Sequence, residues 1–370
     1  MADTPSTTVL PLPRTALPSG ARSPRRHSRA VLAVTAALLT ASCSVLGGPV
    51  ADPDTASDPR DAGNWTGADW KRWSERQGMA TDMPAGRWTT GDMRQAGAAF
   101  RTPGTVGNAR SDPVPAAVAA RTTVGSPDPD LAAFGKIFMR SSSGALVCSG
   151  TVVKDPARPG RSNLVWTAAH CLHEGKGGRP MRDVVFVPAF DGNAATETAM
   201  HPLGTWPAAR SVVSPQWVAE GAQRGGPVSQ FDFGVLRVVP PAGASSLEET
   251  VGAALDVGFN VPRDRIPAPS VFGYPAGAPF DGTRLQVCRS PLRATRLSFD
   301  VSRPTMLAVG CTMTGGSSGG GWVTDLPGRG RILVSNTSIG PTPAQWLAGP
   351  ALGTEALRAF QFLGGTLPTR

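Results

Sequence analysis

The sequence predicts an all-β fold, with antiparallel strands closed into a pair of barrels and followed by one C-terminal helix. Three observations carry that prediction. Gly and Pro supply 44 and 36 of the 370 residues, which leaves little room for long helices. From Leu131 onward, short runs rich in β-branched residues recur with Gly, Pro and Asp between them. Helical spacing closes the chain, at Glu355, Ala356, Leu357, Phe360 and Leu363.

In chain order, residues 1–43 read as an export signal. Five arginines precede the apolar run Ala30 to Ala41, which is too short to span a bilayer as a mature helix. Leu39-Thr40-Ala41-Ser42-Cys43 resembles a bacterial lipobox, which implies acylation of Cys43 and membrane attachment through it; ordinary cleavage nearby is the alternative. Either route delivers the chain outside the cytoplasm. Residues 44–130 form a low-complexity linker or prosegment. Trp65, Trp70, Trp73 and Trp88 allow a short prosegment helix around 64–78 that packs on the downstream domain, and a disordered tether is the competing expectation.

Residues 131–370 are read as one downstream domain. Strands are expected over 136–140, 145–153, 163–167, 183–187, 231–239, 269–274, 284–288, 306–311, 321–324 and 331–335. Thr354 is expected to cap the terminal helix and Gly364 to stop it.

Charge and cysteine content narrow the function. The formal net charge is +9, but five basic residues and one acidic residue lie in 1–42, and the remainder carries +5. That charge is dispersed and not interleaved with aromatic residues, which argues against a nucleic-acid partner. Setting Cys43 aside, Cys148, Cys171, Cys288 and Cys311 form an even set, which in an exported chain reads as two disulfides with three connectivities. No pair has the short spacing of a zinc site.

Three motifs carry the chemistry. His170 ends Thr167-Ala168-Ala169-His170 after a strand-like run, where small residues allow a tight turn and Cys171 would pin it if paired with Cys148. His173 and His201 lie in loops without partner motifs. Asp232 sits between Phe231 and Phe233, where a carboxylate is costly unless hydrogen bonds are donated to it. An imidazole N–H is such a donor, and Asp183, Asp191, Asp256 and Asp281 lack a comparable apolar setting. In Gly315-Gly316-Ser317-Ser318-Gly319-Gly320, Ser318 is the expected nucleophile, Ser317 is its nearest competitor, and the Gly316 and Ser318 amides are the expected oxyanion hole.

The order His, Asp, Ser in these motifs resembles the chymotrypsin-fold, trypsin-like serine proteases, and is most similar to their secreted bacterial trypsin-like and glutamyl-endopeptidase-like branch. The resemblance covers about residues 132–365. It implies two six-stranded antiparallel barrels with a catalytic triad between them, and a serine endopeptidase acting on protein or peptide substrates without metal or cofactor. The disulfides expected are Cys148–Cys171 and Cys288–Cys311, and a monomer is expected.

Departures from the family pattern are informative. Thr312, six residues before Ser318, replaces the aspartate of members that cut after Lys or Arg, so basic specificity is not expected. Ser317 replaces the aspartate that receives a newly cut amino terminus in animal zymogens. No histidine follows the serine motif as in glutamate-cutting relatives, and Ser335, Asn336 and Thr337 are expected to wall a neutral pocket. The alternative from another class is a catalytically inactive binding or adhesion protein on the same scaffold.

Overall fold

The computed structural model describes residues 58–79, 88–99, 101–103, 108–124, 126 and 128–369. The export signal and Cys43 lie outside them. Among the described residues no helix is long and apolar enough to cross a membrane.

The strands in chain order are β1 (Gly97–Ala98), β2 (Arg121–Thr122), β3 (Phe134–Ser141), β4 (Gly144–Val153), β5 (Leu164–Thr167), β6 (Arg182–Pro188), β7 (Trp206–Val213) and β8 (Gly234–Val238). They continue with β9 (Asp256–Val257), β10 (Ser270–Gly273), β11 (Gln286–Arg289), β12 (Thr295–Leu297), β13 (Met306–Gly310), β14 (Gly321–Leu326), β15 (Gly330–Asn336) and β16 (Trp346–Gly349). Six helices accompany them among the described residues: α1 (Gly67–Arg76), α2 (Thr90–Gln95), α3 (Glu197–Met200), α4 (Pro215–Glu220), α5 (Leu247–Val251) and α6 (Thr354–Gly364).

The predicted all-β class is the one observed. The first sheet runs β1-β4-β3-β6-β7-β8-β5, and β4 also pairs with β5, so six antiparallel strands close into a barrel and β1 is an added strand. Closure removes sheet edges. The second half divides into the sheet β2-β11-β10-β14-β15-β9 and the sheet β12-β13-β16. Val271, Leu307, Val309, Trp322, Ile332, Val334 and Leu347 fill the core between them.

Two features near the ends differ from expectation. Gly353, not Thr354, is the N-cap of α6, because the Thr354 hydroxyl turns to Asn260 Oδ1 at 3.2 Å. The stop is Gly365 in the left-handed region at φ 78°, one residue beyond Gly364. Residues ahead of 131 also pack against the second half. Strand β2 pairs with β11, Val118 and Ala120 pack on the second core, and Asp112 holds Arg296 at 2.7 Å.

Before that, residues 58–99 fold onto the barrel where they are described. Thr66 and Asp69 form a reciprocal capping box that starts α1, and Trp70 and Trp73, three apart, face the same side. With Trp65 they make a cluster with ring centroids 5.3–5.9 Å apart, and Trp70 stacks on Phe362 of α6 at 6.0 Å. Trp88 then donates to the Asp183 carbonyl at 2.6 Å and lies against Phe138.

Glu355, at the start of α6, is enclosed and accepts hydrogen bonds from Ser214 Oγ and from Gln216 Nε2. Burial outweighs those two bonds and pushes its carboxyl from 4.5 up to about 7. The folded chain therefore holds this proton more tightly than the unfolded chain. The stabilisation is complete below 4.5 and is lost as pH rises through about 7. Glu355→Gln is expected to flatten that dependence and to add up to about 3 kcal/mol at mildly alkaline pH. Chemical denaturation across the pH range checks it, and parallel curves for the two proteins would refute it.

Candidate active site

The site lies where the closed barrel meets the second half. His170 stands in a single 3-10 turn directly after β5, and Cys171 joins Cys148 of β4, as expected. Cys288 joins Cys311 at the end of β13. Because Cys148 and Cys171 form a disulfide, their sulfurs beside His170 are not thiolate ligands. Two disulfides fit an oxidising, extracytoplasmic compartment.

Asp232, at the entry to β8, has no solvent exposure. Its Oδ2 lies 2.7 Å from His170 Nδ1, and its Oδ1 accepts the His170 backbone N–H at 2.9 Å. Ser338 Oγ and Arg101 Nη1 also donate to Oδ2, at 2.6 and 3.1 Å. Burial alone would raise this carboxyl, but the facing His170, then Arg101 and the Ser338 hydroxyl, outweigh it and hold the group at about 2. The stabilisation it contributes is present above the ordinary value of 3.8 and is lost as pH falls toward 2.

The turn that presents Ser318 is built on glycine. Gly316 sits at φ 95°, and a Cβ there would come within 2.6 Å of the Tyr274 carbonyl. Gly319 sits at φ 78°, where a Cβ would collide with the Thr167 hydroxyl. Ser317, the competitor, donates its hydroxyl to the Thr314 carbonyl at 2.7 Å and is a brace of the turn. Ser318 Oγ donates to the Ala99 carbonyl at 3.1 Å, and the Gly316 N–H donates to the same oxygen at 3.0 Å. His170 Nε2 is buried with no hydrogen-bond partner among the described residues.

The rival groups are engaged elsewhere. His173 Nδ1 accepts from the Gly175 N–H, and burial pushes its ring down to about 4. Asp183 pairs with Arg140, Asp191 with Arg284, Asp256 with Lys154, and Asp281 accepts from Thr283.

The expected pocket residues separate. Thr312 lines a cavity of about 610 Å³ beside the Ser318 turn, with Thr314, Gly315 and the 341–344 loop, and no carboxylate lines it. Its hydroxyl accepts from the Ala120 N–H at 2.9 Å. Ser335, Asn336 and Thr337 do not reach this cavity with their side chains, in contrast to the sequence expectation. Ser335 donates to the Pro350 carbonyl, Asn336 accepts from the Trp166 indole and donates to the Asp232 carbonyl, and Thr337 accepts from the Trp322 indole. Buried indole N–H groups need acceptors, and these polar residues supply them. Ser338, one position further on, is the residue that sequence reading missed. Its signal was a fourth polar residue in a run that otherwise reads as strand end.

One barrel thus supplies a histidine and its carboxylate, and the facing half supplies a serine on a glycine turn, an arrangement that defines the class of chymotrypsin-like serine proteases. Among solved structures, the chain is similar to the thermostable serine protease AL20 from an extremophilic microorganism. The identity is 32%, covering 65% of this chain and 100% of that one, with a TM-score of 0.52. It is also similar to the protease Anisep from Arthrobacter nicotinovorans, at 29% identity over 66% and 98% of the two chains, with a TM-score of 0.52. The chain belongs to the trypsin-like serine protease family. No family model matches the sequence, and no curated protein does.

Proposed function

We propose that the chain is an exported serine endopeptidase that hydrolyses peptide bonds through an acyl-enzyme. In this reading Ser318 Oγ attacks the scissile carbonyl, His170 takes its proton and returns it to the leaving amine, and Asp232 fixes the tautomer and stabilises the imidazolium. The Gly316 and Ser318 amides receive the developing oxyanion. The observation that supports this most is the Ala99 carbonyl oxygen held by the Gly316 N–H, one of the two proposed oxyanion donors, within reach of Ser318 Oγ. A fluorophosphonate should form an adduct on Ser318 that peptide mapping locates. If the exported protein yields no adduct under any condition, the assignment fails.

Export through the 1–43 signal, with attachment through an acylated Cys43, is part of the same proposal. Mass spectrometry of the mature amino terminus tests it. For specificity, the cavity beside Thr312 offers a cation no counter-charge, so cleavage after Lys or Arg is not favoured. Thr312→Asp is expected to raise cleavage after Arg relative to Ala by about tenfold or more, on the scale of one charge pair. A peptide library scored before and after the substitution reads this out, and an unchanged ratio would place the specificity pocket elsewhere.

A further inference from the structure

We propose that Gly97–Ala99 and Arg101–Pro103 are an intramolecular inhibitor, threaded through the catalytic cleft and latched by Arg101, so that the chain as folded is latent. This rests on the serine-protease reading above.

The segment's two described pieces contact opposite walls of the cleft. Strand β1 runs parallel to β4, and the Ala99 N–H donates to the Val147 carbonyl at 3.1 Å, in the manner of a peptide added to a sheet edge. The Ala99 carbonyl then fills the place where the substrate oxygen belongs. Beyond it, the Arg101 carbonyl accepts from the Gly340 N–H at 3.3 Å, and Pro103 bridges to Gly225. What remains beside His170 is a cavity of about 180 Å³ walled in part by Ala98, Ala99 and Arg101.

The seating is unproductive for a chemical reason. A hydroxyl has one proton to donate, and Ser318 gives it to the Ala99 oxygen, while His170 Nε2 has no partner among the described residues. Attack on a carbonyl carbon requires that proton to pass to His170. The segment therefore holds the nucleophile in its resting state while occupying the site.

Arg101 is the latch. Its guanidinium is 4% exposed. Nε donates to the Ala222 carbonyl at 2.8 Å, Nη2 to the Arg224 carbonyl at 2.9 Å, and Nη1 to Ser229 Oγ at 3.3 Å and Asp232 Oδ2 at 3.1 Å. Its carbon lies 4.5 Å above the Trp217 ring. These groups form a guanidinium pocket beside the triad carboxylate, and a planar fork of donors suits it where an ammonium would not. The His170–Asp232 pair is already made, so activation needs only departure of the segment.

The test is the rate of fluorophosphonate labelling in the full exported chain, comparing wild type, Arg101→Ala and Ala99→Pro, with Ser318→Ala as blank. Both variants are expected to label at least about tenfold faster than wild type, because the open fraction sets the rate. Damage to the triad would slow labelling, so acceleration separates a latch from a merely structural residue. Should Arg101→Ala fail to fold, Ala99→Pro decides alone, since it removes the N–H to Val147 and leaves Asp232 fully paired. If no folded variant labels faster than wild type, the inhibitor is overturned while the protease stands. If nothing labels in any variant, the protease reading falls and the inhibitor falls with it.

Discussion

Replacing Asp232 with Asn is expected to lower kcat/KM by about 10⁴-fold while the protein still exports and folds. The reason lies in the donors around the carboxylate. Oδ1 accepts the His170 backbone N–H, and Oδ2 faces His170 Nδ1, Ser338 and Arg101. An asparagine has one acceptor for these two sides. With its nitrogen toward Nδ1, it forces the imidazole proton onto Nε2, where the ring cannot accept from Ser318, and it sets an N–H₂ against two other donors. Turned the other way, the amide nitrogen meets the His170 backbone N–H. Arg101 also loses its counter-charge, which adds a stability loss of about 3–5 kcal/mol, as for any broken buried pair. Steady-state kinetics and denaturation measure the two effects separately. A variant within tenfold of wild-type activity would remove Asp232 from the reaction.

Trp70→Ala is expected to cost about 3–4 kcal/mol of stability. Trp70 is fully buried against Trp65, Trp73 and Phe362, and emptying a site of that size usually costs about 3–5 kcal/mol in lost transfer energy and residual cavity. A smaller effect opposes it. The Trp70 indole N–H has no partner among the described residues, so the substitution also removes an unsatisfied donor, a relief of about 1 kcal/mol. The cavity wins. Urea denaturation of both proteins decides it: a loss under about 1 kcal/mol would mean that α1 rests on α6 without stabilising the chain.

The reach of sequence reading follows from the range of the forces involved. The motifs around His170, Asp232 and Ser318 were legible because tight turns, an apolar-flanked carboxylate and glycine-dependent backbone are local requirements. The ten expected strands all have counterparts, for the same reason. Strand β7 escaped notice because Pro207 and Arg210 interrupt its pattern, and pairing with β6 and β8 draws it into the barrel regardless. Strands β12 and β16 are short and gain definition only from β13 between them. The orientation of Asn336 and Thr337 depends on two indoles, and that of Ser335 on the Pro350 carbonyl, all more than ten residues away, which no local pattern reports. Arg101 gave no signal at all. One arginine in a Gly- and Ala-rich stretch looks like any other until β1 places it beside Asp232.

The carbonyl of Ala99 is joined covalently to the enzyme that it touches, and this has a consequence for how ligands compete. A tethered group acts at an effective concentration on the order of millimolar, whatever the protein concentration. A soluble peptide or peptide aldehyde therefore meets an occupied site, and its apparent affinity for the intact chain is weakened by the occupied fraction. Compounds ranked on the intact chain would be ranked partly by how well they displace Gly97–Ala99 and Arg101–Pro103.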